Sequence, residues 1–319
     1  MTASFEAGSP RHARLAEELD EAGLPPARSA QLQAMLLEEI DLALRPEVHE
    51  RRVPSSGTIL DPRLDPDGWS TGTQLDVART AITREGLPGW RRFVDGLSSW
   101  LLRRTEEAGD EWVLFDRPAG SERDLVVLAD ASQATIVQRH PAGVVRVVGA
   151  FGVLRFEGLA WHHEPPVDAW AEQITSGAGG GGTDVVEAML RLAVHDLGSS
   201  GVGALLVYRP SRSPGPPVEE LLVAPPPLRI RKAAHLAPLR QALSQIDGAA
   251  IFDADGVLRR LGVRLVPSAE AEREVPPFGG TRHTSARRYS HDDPTAVVVV
   301  VSEDGPVSVL RGGKLLSPP

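Results

Sequence analysis

Side chains able to do chemistry gather in the last quarter of the sequence. Asp247-Gly248-Ala249 stands at the entry to an apolar run, and Gly280-Thr281-Arg282-His283 closes a loop and opens a helical stretch. Leu265 lies between them at the end of a second apolar run, and Ser302-Glu303 follows the valines that fill positions 297 to 301. A carboxylate, a guanidinium and an imidazole on glycine-bearing turns are the groups that phosphate chemistry uses. The carboxylate holds a divalent cation or takes a proton, the guanidinium forks onto an oxyanion, and the imidazole does either. Each motif alone has an ordinary reading as well: Asp-Gly is a common turn dipeptide, Arg-His in a polar loop is a common surface pair, and Leu265 is a common strand-end core residue.

Taken in order and spacing, with Leu265-Val266-Pro267 between them, these motifs resemble those of the diadenylate cyclase domain family over about residues 185–315. Gly203-Ala204-Leu205-Leu206-Val207 is similar to the family's early strand, and Val307-Ser308-Val309 with Gly313-Lys314-Leu315 to its closing one. The resemblance implies an α/β domain with a mixed sheet flanked by helices. It implies an enzyme, a nucleotidyltransferase joining two ATP molecules into cyclic di-AMP and two pyrophosphates with Mg²⁺ or Mn²⁺. Asp247 would sit beside the attacking 3′-hydroxyl and, with His283, hold metal; Arg282 and His283 would complete the catalytic set. Gly248, Ala249, Leu265, Gly280, Thr281, Thr284, Ser302 and Glu303 would line the nucleotide. One domain holds one ATP, so a homo-oligomer with catalytic faces opposed is implied.

One position departs from the family pattern, which has Arg-His-Arg where this chain has Arg282-His283-Thr284. A lost charge-assisted phosphate contact costs about 1.5–3 kcal/mol. Arg287 or Arg288, a turn further on, and the amides that open the helix are the available substitutes. The departure keeps a second reading in view: a non-catalytic sensor that binds ATP or cyclic di-AMP and signals to a partner.

Other candidate motifs carry less. The segment 176–182 (SGAGGGG) ends Gly182-Thr183-Asp184 and lacks the Gly-Lys-Ser/Thr close of a phosphate-binding loop, so it reads as a linker. His162-His163 and His195-Asp196 have no spaced partners of a metal motif. There is no cysteine, which excludes disulfides, thiolate catalysis and Cys-ligated zinc. The net charge of −9 gives no reason to expect nucleic-acid binding. No signal peptide or membrane span is expected, which suggests a soluble cytoplasmic protein.

The elements that must position these residues follow from periodicity and punctuation. The five valines imply a central strand buried on both faces. Strands are expected at 203–208, 221–223, 248–252, 257–265, 296–301 and 307–311, and helices at 184–197 (capped by Thr183 or Asp184), at 237–244 and from Thr284. The remaining 175 residues read as an α+β regulatory or sensory domain. Helices are expected at 11–22, 27–44 and 74–107, the last broken near 86–89 and with Trp90, Phe93, Leu97 and Leu101 on one face, and 45–72 as loop. Strands are expected at 112–115, 125–129, 134–138, 144–148 and 153–157. The domains expected are thus 1–175, the linker 176–182, and a catalytic domain 183–319.

Overall fold

The structure, a computed structural model, describes residues 10–48, 50–105, 109–176, 182–211, 215–220, 224–303 and 307–316. The chain forms two compact units, Met1–Pro166 and Val167–Pro319.

The first unit contains α1 (Pro10–Glu21), α2 (Ala30–Leu44), β1 (Ser56–Leu60), α3 (Ser70–Thr73), β2 (Val77–Ile82), α4 (Leu87–Trp90), β3 (Ser99–Arg103) and β4 (Asp110–Phe115). It continues through α5 (Glu122–Ser132), β5 (Thr135–Arg139), β6 (Val145–Gly149), β7 (Gly152–Glu157) and β8 (Ala160–Glu164). The strands form one sheet in the order β2-β4-β3-β1-β5-β6-β7-β8, in which only the β1–β3 pairing is parallel. Side chains alternate between faces along a strand. Ile59, Ile136, Val148 and Val153 accordingly pack with Leu125 and Leu128 of α5. Their neighbours Leu60, Val137, Val147 and Leu154 pack with Leu15, Leu36 and Ile40 of α1 and α2.

A buried carboxylate ties α2 to the sheet. Glu39, only 3% exposed, accepts from Thr58 Oγ1 (2.8 Å), Arg91 Nη1 (2.7 Å) and Arg103 Nη1 (2.6 Å). Burial pushes its pKa up, but Arg91 and Arg103 outweigh that and leave it below its ordinary value.

Three expectations for this unit are corrected. Residues 74–105 do not form one long helix: they hold β2, the short helix α4 and β3, because Ser99–Leu102 are all buried as a central strand and Gly96 turns the chain at φ +66°, where a Cβ would stand 2.3 Å from Ser56 O. Of the supposed stripe, Phe93 is 66% exposed. Residues 125–129 lie in a helix, opened by a capping box in which Ser121 Oγ accepts from Asp124 N (3.3 Å) and the Asp124 carboxylate accepts from Ser121 N (3.1 Å). The stretch 45–72 contains β1, paired on both sides within the sheet.

The second unit contains α6 (Val167–Thr175), α7 (Thr183–Arg191), which widens into a π-helical turn Leu192–Leu197, β9 (Ala204–Tyr208), β10 (Val218–Glu219), α8 (Ala233–Leu243) and β11 (Ala249–Phe252). It closes with β12 (Leu258–Leu265), α9 (Ala269–Glu274), α10 (Thr281–Asp292), β13 (Val297–Val301), β14 (Ser308–Arg311) and β15 (Lys314–Leu316). The sheet order is β10-β12-β11-β9-β13-β14-β15, with β9 and β11 parallel and the other pairs antiparallel. The valine strand lies inside the sheet, as its composition requires. Val297, Val299 and Val301 face Val186, Met189 and Leu190 of α7, whereas Val298 and Val300 face Ala286 and Tyr289 of α10.

Residues 167–175, expected within the first domain, form helix α6 and share the core of the second unit through Val167, Trp170, Ala171 and Ile174. Helix α7 is not capped by Thr183 or Asp184: Gly182 is the N-cap, Thr183 Oγ1 pairs with Thr175 Oγ1 at 2.8 Å, and Asp184 pairs with Arg231. The expected glycine linker falls largely on 177–181 and the expected strand on 221–223; both lie outside the described residues.

Candidate functional site

Strand register decides which residues meet. Val301 pairs with Ala204 across the antiparallel β13–β9 ladder, and Leu205 pairs with Ala249 across the parallel β9–β11 ladder. The starts of β9 and β11 and the end of β13 therefore share one edge of the sheet. Gly203, Asp247, Gly248, Ser302 and Glu303 are the residues just outside it.

Helix α10 lies on the adjacent face, anchored by Ala286 and Tyr289, with its first turn toward this edge. From that turn Arg282 reaches between two carboxylates: Nη1 lies 3.4 Å from Glu303 Oε1, and Nη2 lies 3.8 Å from Asp247 Oδ1. The Asp247 side chain is fully exposed and that of Arg282 is 38% exposed. One cation between two acids leaves a local excess of one negative charge in contact with solvent, which suits a divalent cation carried in by a polyphosphate.

Two glycines make this arrangement possible. A Cβ on Gly203 would stand 2.3 Å from Arg282 Nη1, so the missing side chain is the space the guanidinium occupies. Gly248 has φ +100°, and a Cβ there would stand 2.8 Å from the Gly262 carbonyl carbon and 2.9 Å from Val263 O, so the chain enters β11 pressed against the backbone of β12. Asp247 thereby projects from a turn that has little freedom to move.

The remaining sequence-derived positions fall into distinct places. Ala249 and Leu265 are buried in the core beneath α10, so they offer a ligand only backbone. Gly280 and Thr281 are exposed, and Gly280 is an N-cap without a side-chain cap bond. The first intrahelical bond, Thr284 N to Gly280 O at 3.1 Å, leaves the amides of Thr281, Arg282 and His283 free to point at a ligand. Ser302 is half-buried at the end of β13.

His283 lies further along the edge, its Nε2 3.3 Å from Ser308 Oγ at the start of β14 and its ring edge-on to Phe278 at 6.3 Å. Among the described residues no three His, Asp or Glu side chains gather into a metal-binding group. Thr284 is engaged locally: its Oγ1 accepts from Phe278 N (3.2 Å) and donates to Phe278 O (3.3 Å), pinning the loop before the helix. Arg287 donates to Gly313 O and stands 5.9 Å over the Phe278 ring, while Arg288 donates to Val275 O. Neither is placed at the Asp247–Arg282–Glu303 cluster as a substitute cation. Gly203 was legible in the sequence only as the start of a strand; its closeness to Arg282, 79 residues on, is a product of the fold.

This edge gathers exposed acids, a cation and an uncapped helix start at one end of an α/β sheet. Residues 191–315 match the family model described as DisA bacterial checkpoint controller nucleotide-binding, abbreviated DAC, and residues 13–164 match that described as Probable sensor domain DACNK. The chain thus carries a region that matches the DACNK sensor-domain model followed by one that matches the DAC nucleotide-binding model. No curated protein matches it. A solved structure that it resembles, a hypothetical membrane spanning protein from Bacillus cereus, is 18% identical, with 49% of this chain and 80% of that one covered and a TM-score of 0.32. Among the described residues no helix is long and apolar enough to cross a membrane.

Proposed function

We propose that the protein is a diadenylate cyclase, condensing two ATP molecules into cyclic di-AMP and two pyrophosphates. The observation that carries this is the convergence of Asp247, Arg282 and Glu303 at one sheet edge beside the uncapped start of α10, within a DAC-family domain. In the reaction the 3′-hydroxyl of each ATP attacks the α-phosphate of the other and pyrophosphate departs. Little covalent work falls to the protein, and positioning and charge do most of it.

Asp247 orients the 3′-hydroxyl and accepts its proton as the new P–O bond forms. Arg282 and the amides of residues 281–283 face the phosphate oxygens, with His283 and Thr281 on the flank. Ser302, Glu303 and the backbone of Gly248, Ala249 and Leu265 line the rest of the nucleotide. A single fully exposed carboxylate without a surrounding cage fits Mg²⁺ or Mn²⁺, since such ions arrive with the triphosphate and keep water and phosphate oxygens as most of their ligands. Asp247 would hold the ion, which supplies neutralisation of the developing phosphate charge; His283 is the sequence-derived second ligand. Each domain offers one such edge, so two protomers must present these edges to each other.

A second reading, a nucleotide sensor without turnover, is favoured by one observation: Thr284, where the family has arginine, is engaged with Phe278. The variant Asp247→Asn separates the readings. Under the cyclase reading it binds ATP but makes no cyclic di-AMP, while the native chain makes it. A variant that turns over like the native chain would sink the role given to Asp247.

A further inference from the structure

At the opposite end of the same sheet, where β9 and β11 finish and β12 begins, lies a cavity of about 660 Å³. Its apolar wall includes Ile251, Phe252, Pro216 and Pro217, and its polar wall includes Arg209, Arg259, Arg260 and Tyr289. The volume lies within the range of small-molecule sites, roughly 300–1,000 Å³.

Two observations point to a ligand. Tyr289 is 1% exposed as a residue and lines the cavity, so its small accessible surface faces the cavity. Burial raises its pKa, outweighing the nearby arginines, so the hydroxyl stays a neutral donor. A hydroxyl that opens only into a cavity is placed to donate to whatever occupies it.

The second observation is a break in strand register. Ile251 pairs with Arg260 and Phe252 with Leu258, so Arg259 is an extra residue on β12. Neighbours on a regular strand point to opposite faces, but a bulge re-aims a side chain, and here Arg259 and Arg260 both line the cavity. Each pairs with a carboxylate through Nε alone: Arg259 with Asp253 Oδ2 at 2.6 Å and Arg260 with Glu220 Oε1 at 3.0 Å. Their terminal amino groups have no partner among the described residues. The Asp253 carboxylate is already engaged, its other oxygen accepting from Asp255 N and Val257 N. The cavity therefore presents donors, two guanidinium forks and a hydroxyl, next to an aromatic and proline wall.

We propose that this cavity binds a small molecule bearing a phosphate or carboxylate on a flat apolar body, at a site separate from the nucleotide edge. The oxyanion sits between Arg259, Arg260 and the Tyr289 hydroxyl, and the apolar body lies against Phe252 and Ile251. This does not depend on the cyclase reading, because none of these residues belongs to the Asp247–Arg282 edge.

The test is calorimetric titration of the full chain with phenyl phosphate, benzoate and inorganic phosphate. Saturable binding of phenyl phosphate or benzoate is expected, whichever is tighter naming the oxyanion, with inorganic phosphate weaker because it lacks the apolar contact. The double variant Arg259→Gln, Arg260→Gln should weaken binding roughly tenfold or more, as loss of a charge-assisted bond does. Tyr289→Phe, which keeps the packing and removes only the hydroxyl, should weaken it as well, and Arg282→Gln should leave it unchanged. The proposal is overturned if neither aromatic probe saturates, if Tyr289→Phe binds like the native chain, or if Arg282→Gln removes binding. Inorganic phosphate binding as tightly as phenyl phosphate would remove the apolar half of it.

Discussion

The substitution Gly203→Ala isolates the space that Arg282 occupies. The new methyl would stand 2.3 Å from Arg282 Nη1, closer than a real contact allows, and a tight 3.0 Å from its Cζ and 3.1 Å from Glu303 Cγ. All three atoms belong to side chains with freedom to swing, and Gly203 does not require a left-handed backbone, so the fold yields at Arg282 and not at β9. Two small effects then oppose each other in stability. Alanine restricts the unfolded chain, stabilising by about 0.4–1 kcal/mol, and loss of the exposed Arg282–Glu303 pair costs about 0–1 kcal/mol. The melting temperature should hardly change. Nucleotide affinity should change: a displaced guanidinium forfeits a charge-assisted phosphate contact of about 1.5–3 kcal/mol, or roughly ten- to hundredfold in Kd. Calorimetric titration with a non-hydrolysable ATP analogue and Mg²⁺, beside a melting curve, measures both. Native affinity in a variant that melts like the native chain would refute the placement of Arg282 at the nucleotide.

Other substitutions probe different parts of the account. Gly248→Ala should destabilise by about 1–3 kcal/mol, because it combines a left-handed backbone with contact on the β12 backbone; a melting temperature equal to the native one would show that the turn relaxes freely. Glu39→Ala should cost about 3–5 kcal/mol in chemical denaturation, since it leaves Arg91 and Arg103 partly buried without their carboxylate. Because the Glu39 pKa is lowered on folding, its stabilisation is fully present above its ordinary value of 4.5 and is lost as pH falls through the lower folded value. The acid side of the native stability curve should therefore be steeper than that of Glu39→Gln, and parallel curves would contradict the ion cluster. Thr284→Arg should tighten ATP binding by restoring the family cation; weaker binding would show that the Thr284–Phe278 pairing matters more to the loop than a cation does to the phosphates.

The parts of the fold that were legible are those where local pattern and tertiary environment agree. The run Val297–Val301 had to lie between two apolar layers, and it does. The helix at residues 125–129 was misread because its valines and leucines outweighed the capping signal four residues upstream, Ser121 followed by Asp124. Residues 74–107 carry large apolar side chains at helical steps, but Gly96 turns the chain and the buried Ser99–Leu102 belong to a central strand, which repeats too briefly to show a period of two.

At the site, Asp247 and Arg282 were recognisable as chemistry by their motifs. That Glu303 is the second acid on Arg282, that Gly203 makes its room, and that Arg287 and Arg288 are held elsewhere depend on register and helix docking, which residue types do not encode locally. The cavity beside Arg259 was likewise hidden, because it depends on a bulge between two strands.

The central claim is tested most directly by incubating the purified chain with ATP and Mg²⁺ or Mn²⁺ and identifying the products by mass. The account predicts cyclic di-AMP and pyrophosphate, formed at a rate per protomer that rises with protein concentration and then levels off as opposed edges pair. ATP that binds and is recovered unchanged at every protein concentration would contradict it.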